Sequence, residues 1–491
     1  MTKPYDMRKS ERFIPNHGRK SAGPSKGNAM HPKQSPSSEY RVEQDSMGTV
    51  QVPAGAYFGS QTQRAVENGL HTGLKLPFGF IYALALVKRC AADVNDQLEG
   101  LDSKLAAVIM IAAEEVMAGR WNNQFVVDLF QTGSGTSTNM NMNEVLAARA
   151  NELISGQKGG RSPVHPNDHV NMGQSSNDVM PTAMHVAAVL ALNRSLLPAW
   201  HHLNQALEKK ASDFKGVRKI GRTHLQDAVP MNLGQAFGGF ARQVDLGCQR
   251  ISAAIPRLTE LALGGTAIGT GLNAPAGFAE NTIAGISKQT GIRFEQARNH
   301  FEAQAARDAV VEISGVLKTL SVGLIKIAND IRWMGSGPRC GIGELRLPAL
   351  QPGSSIMPGK VNPVVSEMVI QAAYQVMGND TTIALAGQSG NFEINVTVPV
   401  MAYNLLQSID LLAASARLLA DKCVQGLKAD RQQCEAYVEH SLALVTGLVP
   451  LIGYDRAAAV AKRAYETGKT IREVALEEKI ATAEELARLL S

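Results

Sequence analysis

The sequence is poor in several things at once, and each scarcity closes off a class of protein. Cysteine occurs five times in 491 residues (Cys90, Cys248, Cys340, Cys423 and Cys434), an odd number with no Cys-x-x-Cys pair. That supplies no disulfide framework and suits thiols packed as small hydrophobes in a reducing compartment. Aromatic residues are only 5% against 44% hydrophobic overall, a balance that favours Ala-, Leu- and Val-rich helices over an aromatic-rich β architecture. No apolar run approaches the ~20 residues of a membrane span, and the N-terminus has no secretory apolar core. The body also lacks an excess charge of either sign. Of the formal +5, residues 1–38 carry +6, with Lys3, Arg8, Lys9, Arg12, Arg19, Lys20, Lys26 and Lys33 against Asp6 and Glu11, leaving −1 for the rest. A nucleic-acid-binding body is excluded on those grounds. The expectation is a soluble cytoplasmic protein; Asp6, Glu11 and weak amphipathicity speak against a mitochondrial transit peptide.

What the chain does have is helical period. Val310, Ile313, Leu317, Leu320, Leu324, Ile327 and Ile331 alternate steps of three and four over three heptads, the spacing of a left-handed seam between helices. The spacing recurs at Phe237, Phe240, Val244, Cys248, Ile251 and Ile255, and again at Leu405, Ile409, Leu412, Ala416, Leu419 and Cys423. A further helix is predicted over Pro181–Lys210, kinked at Pro198. Helices of 20 residues run about 30 Å, so the fold class is all-α, a long bundle with loops at its ends. Gly238, Gly239 and Gly247 would let subunits pack closely. The division predicted is a disordered basic tail over 1–38, a mostly helical domain over 39–172, a long-helix bundle over 173–428 and a small helical domain over 429–491. The second opens on an extended lead-in at Val50–Thr62. The last is read as three helices, Asp430–Val445, Asp455–Thr467 and Thr470–Leu490.

Four polar loops interrupt the helices. Gly353 to Pro363 reads Gly-Ser-Ser-Ile-Met-Pro-Gly-Lys-Val-Asn-Pro, where three nearby prolines and two glycines forbid regular structure around Ser354, Lys360 and Asn362. Gly133–Asn139 places Ser134, Thr136 and Asn139 just before a helix, and Gln174–Asp178 does the same with Ser175, Ser176 and Asn177. Exposed N–H groups at helix starts suit an anion. No Lys-Ser/Thr pair follows the glycines, so a carboxylate fits better than a triphosphate; each stretch also reads as a plain N-cap. The fourth, Gly221–Asp227, holds Thr223 and His224. A catalytic His needs a carboxylate to orient it, and Glu367 is available. Zinc at His165 and His169 is disfavoured, because Pro166 prevents a regular helix from presenting both rings. No cofactor or metal is expected.

This inventory of hydroxyls, amides, one Lys, one His and one Glu suits a small dianion losing a proton beside a carboxylate. Removing it puts a second negative charge on that carboxylate, which fixed positive charge and N–H dipoles must stabilise. Lys360 offers a point charge and Asn362 a neutral donor. Ser354 is a weak base unless its hydroxyl is held in the same positive field.

From about Arg41 to Leu490 the sequence resembles the fumarase/aspartase superfamily. Gly353–Pro363 is similar to its signature, and Gly133–Asn143 and Ser175–Asp178 to its other substrate loops. Within it the chain resembles the class II, metal-independent fumarate hydratases: they carry Thr-His in Gly-Arg-Thr-His-Leu-Gln-Asp, where aspartases carry Gln, and Ser389–Glu393 also looks like theirs. The resemblance implies reversible trans hydration of fumarate to (S)-malate through an aci-carboxylate. Ser354 would take the C3 proton, His224 with Glu367 would handle the water, and Lys360 and Asn362 would stabilise the intermediate. Ser134, Thr136, Asn139, Ser175, Ser176, Asn177 and Thr223 would hold the substrate. It further implies a homotetramer with a twenty-helix core and active sites shared by three chains. His165, Asn167 and Asp168 resemble a second dicarboxylate site, although Ser162 stands where that site has arginine, with Arg161 before it. Met172-Gly173 and the basic tail also depart from the family pattern. Aspartate ammonia-lyase is the alternative. A non-enzymatic relative would lack at least one of Ser354, Lys360 and His224, and all three are present.

Overall fold

All seven seam residues from Val310 to Ile331 are buried along one 27-residue helix, Asp308–Met334. The computed structural model describes residues 39–490; the tail expected at 1–38 lies outside them. The Asp308–Met334 helix packs against Leu233–Leu258 on one side and Val364–Gly387 on the other, and Val364–Gly387 packs in turn against Val398–Leu418. Asn232 and Gln235 close a reciprocal capping box at the start of Leu233–Leu258. Side chains three and four apart face each other across these helices, so the period read in the sequence is the core itself. Leu317 is wholly buried in it. Leu317→Ala is expected to lower unfolding free energy by about 2–5 kcal/mol, read as a drop in the urea midpoint at unchanged slope.

Gly247 corrects one expectation. A Cβ there would come within 2.6 Å of Trp200 Nε1 and 2.7 Å of a Leu320 methyl, so this glycine serves close approach inside the chain, not between subunits. Gly239, with nothing within 4 Å, opens outward.

The helix expected at Pro181–Lys210 begins earlier and is longer. Ser175 and Asp178 form a capping box, Ser176–Ala191 is α-helical, Leu192–Leu196 makes a π turn, and Leu197–Asp213 continues. Pro198 has no N–H for the carbonyl four residues back, and the ladder widens just before it. The result is one rod of helix from 176 to 213, which rises about 55 Å.

Strands are confined to hairpins and two-residue bridges. Tyr40–Asp45 pairs antiparallel with Gly48–Pro53, and Arg218–Thr223 with Gln226–Asn232. The lead-in expected over Val50–Thr62 is extended only to Pro53, and a helix starts at Ser60. Its first N–H groups are capped from far away: buried Glu144 accepts from Gly59, Gln61 and Thr62. A small separate core joins Val438, Leu448, Val460, Ile471, Val474 and Leu486 to Ile220 of the second hairpin. Thr470–Leu490 is two helices rather than one. The first ends at Glu477, Lys479 turns left-handed (φ 53°), and Thr482 with Glu485 caps a new start.

Candidate active site

Thr136, Ser175, Ser176 and Asn177 line one polar cleft of about 440 Å³, closed opposite by the Thr266–Asn273 segment. Two helix N-termini border it, at Thr136 and Ser176, and the positive ends of their dipoles make the cleft attractive to a carboxylate. Gly135 is left-handed (φ 80°), which turns the chain into the first of these helices. Gly133 admits no side chain, since a Cβ would lie 1.7 Å from the Val396 carbonyl oxygen. Ser134 Oγ and Thr136 Oγ1 are 2.8 Å apart. Asn139 donates to Ser176 Oγ at 3.0 Å.

Buried Asp178 ties the two walls together. Its Oδ1 accepts from Ser175 N at 2.9 Å, and its Oδ2 from Gly264 N and Thr266 N at 3.0 Å each. Burial pushes its carboxyl above the usual range, against the pull of these N–H groups and of Lys88. Asn177 spans the same gap, donating to the Ala267 carbonyl at 2.7 Å.

Ser354, Lys360 and Asn362 share a loop pinched at its base. Gly353 N donates to Lys360 O and Asn362 Nδ2 to Gly353 O, both at 2.7 Å. A Cβ on Gly353 would strike both Lys360 O (2.6 Å) and Asn362 N (2.8 Å), so only glycine fits. At the tip, Pro358 and Gly359 (φ 80°) make a turn closed by Lys360 N to Met357 O. Two backbone N–H groups, from Ile356 at 3.2 Å and Met357 at 3.0 Å, donate to Ser354 Oγ. They favour a negative oxygen there, the positive setting that a serine base requires. Lys360 is exposed, and Glu367 lies half-buried in the first turn of the following helix.

His224 sits at a hairpin tip. His224 and Leu225 both have positive φ (55° and 62°), which the two-residue turn between Thr223 and Gln226 demands and neither side chain favours. The hairpin is held firmly just below the turn: Arg222 Nη1 donates to wholly buried Glu344 at 2.8 Å and its guanidinium lies over the Tyr437 ring. Lys219 Nζ is a second cation, 3.3 Å from that carboxylate. Its tip is exposed, Thr223 and His224 included. Among the described residues of one chain, no hydrogen bond or ion pair joins His224 to Glu367.

One chain does not bring these groups together. Ser176 opens the 176–213 rod and the His224 hairpin follows its far end, about 55 Å away along the axis. Ser354–Asn362 precedes the 24-residue Val364–Gly387 helix. The chain leaving that helix's other end reaches the cleft, where Val398 N donates to Gly133 O at 3.0 Å. That helix separates Ser354 from Thr136 by about 36 Å.

The second dicarboxylate grouping is built differently from the resemblance. His165 Nδ1 accepts from Asn167 N at 3.3 Å and Asp168 N at 3.1 Å, capping the Pro166–Val170 turn. A nitrogen accepting two N–H groups carries no proton, so Asp168 Oδ2, 3.1 Å away, is a neighbour and not an ion-pair partner. Burial holds the ring's proton affinity below normal. Arg161 Nη1 donates to the Gln44 carbonyl, and its charge adds to the lowering of the His165 proton affinity. Among the described residues, no three His, Cys, Asp or Glu side chains converge as a metal site would require.

Sequence reasoning missed Lys88, Asn143 and Asn171. Lys88 is wholly buried, and its Nζ donates to Asn171 Oδ1 and Gln174 Oε1 at 2.9 Å each. Burial pushes its ammonium down to about 7, with the Asp178 charge pulling back, and the two amide oxygens favour the charged form. A signal was there: Leu84, Lys88 and Ala91 follow the period of the apolar face, and a charge on that stripe needs partners.

Comparison with known proteins agrees with the fold. Residues 48–378 match the family described as Lyase, and residues 444–491 the one described as Fumarase C C-terminus. The class II fumarate hydratase of Thermosynechococcus vestitus is 55% identical over 91% of this chain and 96% of that protein. Its counterpart from Nitrosomonas europaea is 53% identical over 91% and 97%. The crystal structure of a recombinant class II fumarase from Schistosoma mansoni superposes with a TM-score of 0.89 at 42% identity, covering 92% of this chain and 98% of that one. The chain belongs to the class II fumarate hydratases, within the wider lyase family.

Proposed function

We propose that this lyase interconverts fumarate and (S)-malate by trans addition and removal of water. The observation that carries the reading is Ser354 Oγ beneath two N–H donors, in the loop that also bears Lys360 and Asn362. In the dehydration of malate Ser354, as alkoxide, takes the C3 proton, and the C–H electron pair moves into the adjacent carboxylate. Lys360 and Asn362 stabilise the resulting aci-carboxylate. The electrons then return to form the double bond, and the C2 hydroxyl leaves as water with a proton delivered by His224, which Glu367 orients. Ser134, Thr136, Asn139, Ser175, Ser176, Asn177 and Thr223 hold the dicarboxylate.

The functional unit is a homotetramer whose sites draw on three chains. Two findings support this. The catalytic groups and the substrate cleft lie at opposite ends of one chain's helices. The two central helices also leave large apolar side chains uncovered, namely Val322, Trp333, Met368, Tyr374 and Leu385. Leu225 and Ile356, beside His224 and Ser354, are 78% and 83% exposed, which a neighbouring chain would cover. Five unpaired thiols fit a cytoplasmic, reducing setting. The second dicarboxylate grouping around His165, Asn167 and Asp168 would bind weakly, because Ser162 stands where the resemblance has arginine and Arg161 is engaged with the Gln44 carbonyl.

The test is an assay of purified protein with L-malate or L-aspartate, followed at the ultraviolet absorbance of fumarate. Fumarate should appear from malate. Production from aspartate alone would overturn the reading in favour of an ammonia-lyase.

A further inference from the structure

Beneath the cleft lies a hydrogen-bond chain with a single possible sense. Lys88 Nζ donates to Asn171 Oδ1, and two more donors converge on that oxygen, Asn139 Nδ2 at 3.2 Å and Asn143 Nδ2 at 3.1 Å. Asn139 Nδ2 also donates to Ser176 Oγ. An ammonium has donors and no acceptor, so the Asn171 atom facing it must be oxygen, and the other end of that amide holds the same sense, Asn171 Nδ2 donating to the Gln174 carbonyl at 3.0 Å. The Asn139 and Asn143 atoms facing that oxygen must then be NH₂ groups. Ser176 Oγ, already accepting from Asn139, is left to donate its own proton, and Ser176 lines the cleft. The same rule turns Gln174: its Oε1 faces Lys88, and its Nε2 donates to the Val170 and Met172 carbonyls.

The arrangement has a visible cost. Asn139 Oδ1 and Asn143 Oδ1 are buried with no hydrogen-bond partner among the described residues. An orphaned buried acceptor costs about 1–3 kcal/mol, and flipping either amide would re-aim it. The flip is forbidden because an NH₂ group would then give up its place to an oxygen facing Asn171 Oδ1. A network polarised against its own satisfaction points to a use for the polarity.

We propose that Lys88 is a positioning residue that, together with the Gln174 carbonyl, fixes this sense, so that Ser176 presents a hydroxyl donor to a substrate carboxylate. The proposal rests on the reading of the cleft as the dicarboxylate site. It adds the source of the cleft's polarity, a cation that does not touch substrate.

The probe is succinate, an unreactive dicarboxylate, titrated calorimetrically into the intact assembly of wild type, Lys88→Met, Ser176→Ala and the double variant. Lys88→Met should weaken succinate about tenfold and Ser176→Ala by a similar factor. The double variant should be no weaker than either single one, because both remove the same donor. Lys88→Gln, whose amide can still donate to Asn171, should fall between wild type and Lys88→Met, and serves alone if the methionine variant does not assemble. In turnover the loss should fall on KM more than on kcat. A merely structural lysine would give additive losses, or losses that follow melting temperature. Additive losses, or wild-type affinity in both Lys88 variants, would overturn the proposal. Wild-type affinity in Ser176→Ala would instead overturn the cleft assignment.

Discussion

Ser354→Ala is expected to lower kcat by about three orders of magnitude while leaving assembly and succinate binding near wild type. The serine's value lies in one oxygen. Its Oγ accepts N–H groups from Ile356 and Met357, and both donors belong to the backbone, so they stay aimed at that point when the side chain is cut back. Alanine therefore removes the base and leaves the loop's base pinched between Gly353, Lys360 and Asn362. Lost turnover with normal assembly and normal succinate affinity would identify proton abstraction as the missing step. Wild-type kcat would remove Ser354 from the chemistry, and a collapse of assembly would make it structural.

His224→Asn is expected to cost about a hundredfold in kcat, smaller because water can replace part of a proton shuttle. Asparagine is chosen for the backbone: position 224 has φ 55°, a region asparagine tolerates better than most residues, so the turn survives the substitution. Arg222 and Glu344 hold the hairpin just below the turn in either case. Kinetics with unchanged melting temperature would thus report chemistry alone. Unchanged kcat would show that another group delivers the proton.

Much of this was legible in the sequence. The seam at Val310–Ile331 could be read because period and burial have the same cause: residues three and four apart share a helix face. The polar loops could be read because hydroxyls and amides ahead of a helix either cap it or bind an anion, and four such stretches in one chain exceed what capping needs. Other features depend on distant partners. The helix at Ser60 is capped by Glu144, more than 80 residues away, and no local pattern announces it. Lys88 sits in an apolar helix, and its role emerges only when Asn171 and Gln174 fold against it. Gly247 was read as facing another subunit, since a bare glycine face does not say which neighbour approaches it; Trp200 and Leu320 do. The separation of the site's parts was legible only once helix lengths were known, because the loops' order in the chain says nothing of which end of the bundle each occupies.

That separation makes subunit hybrids the most direct test of the account. Two nearly silent parents are needed: Ser354→Ala, damaged at one end of the bundle, and Thr136→Val with Ser176→Ala, damaged in the cleft. Differently tagged, co-expressed and purified through both tags, mixed assemblies are assayed for fumarate formation from malate. If each site draws its base from one chain and its cleft from another, balanced hybrids in which unlike chains share a site contain wholly wild-type sites, and activity returns. If hybrids stay as silent as their parents, each site belongs to one chain, and the shared-site account is wrong.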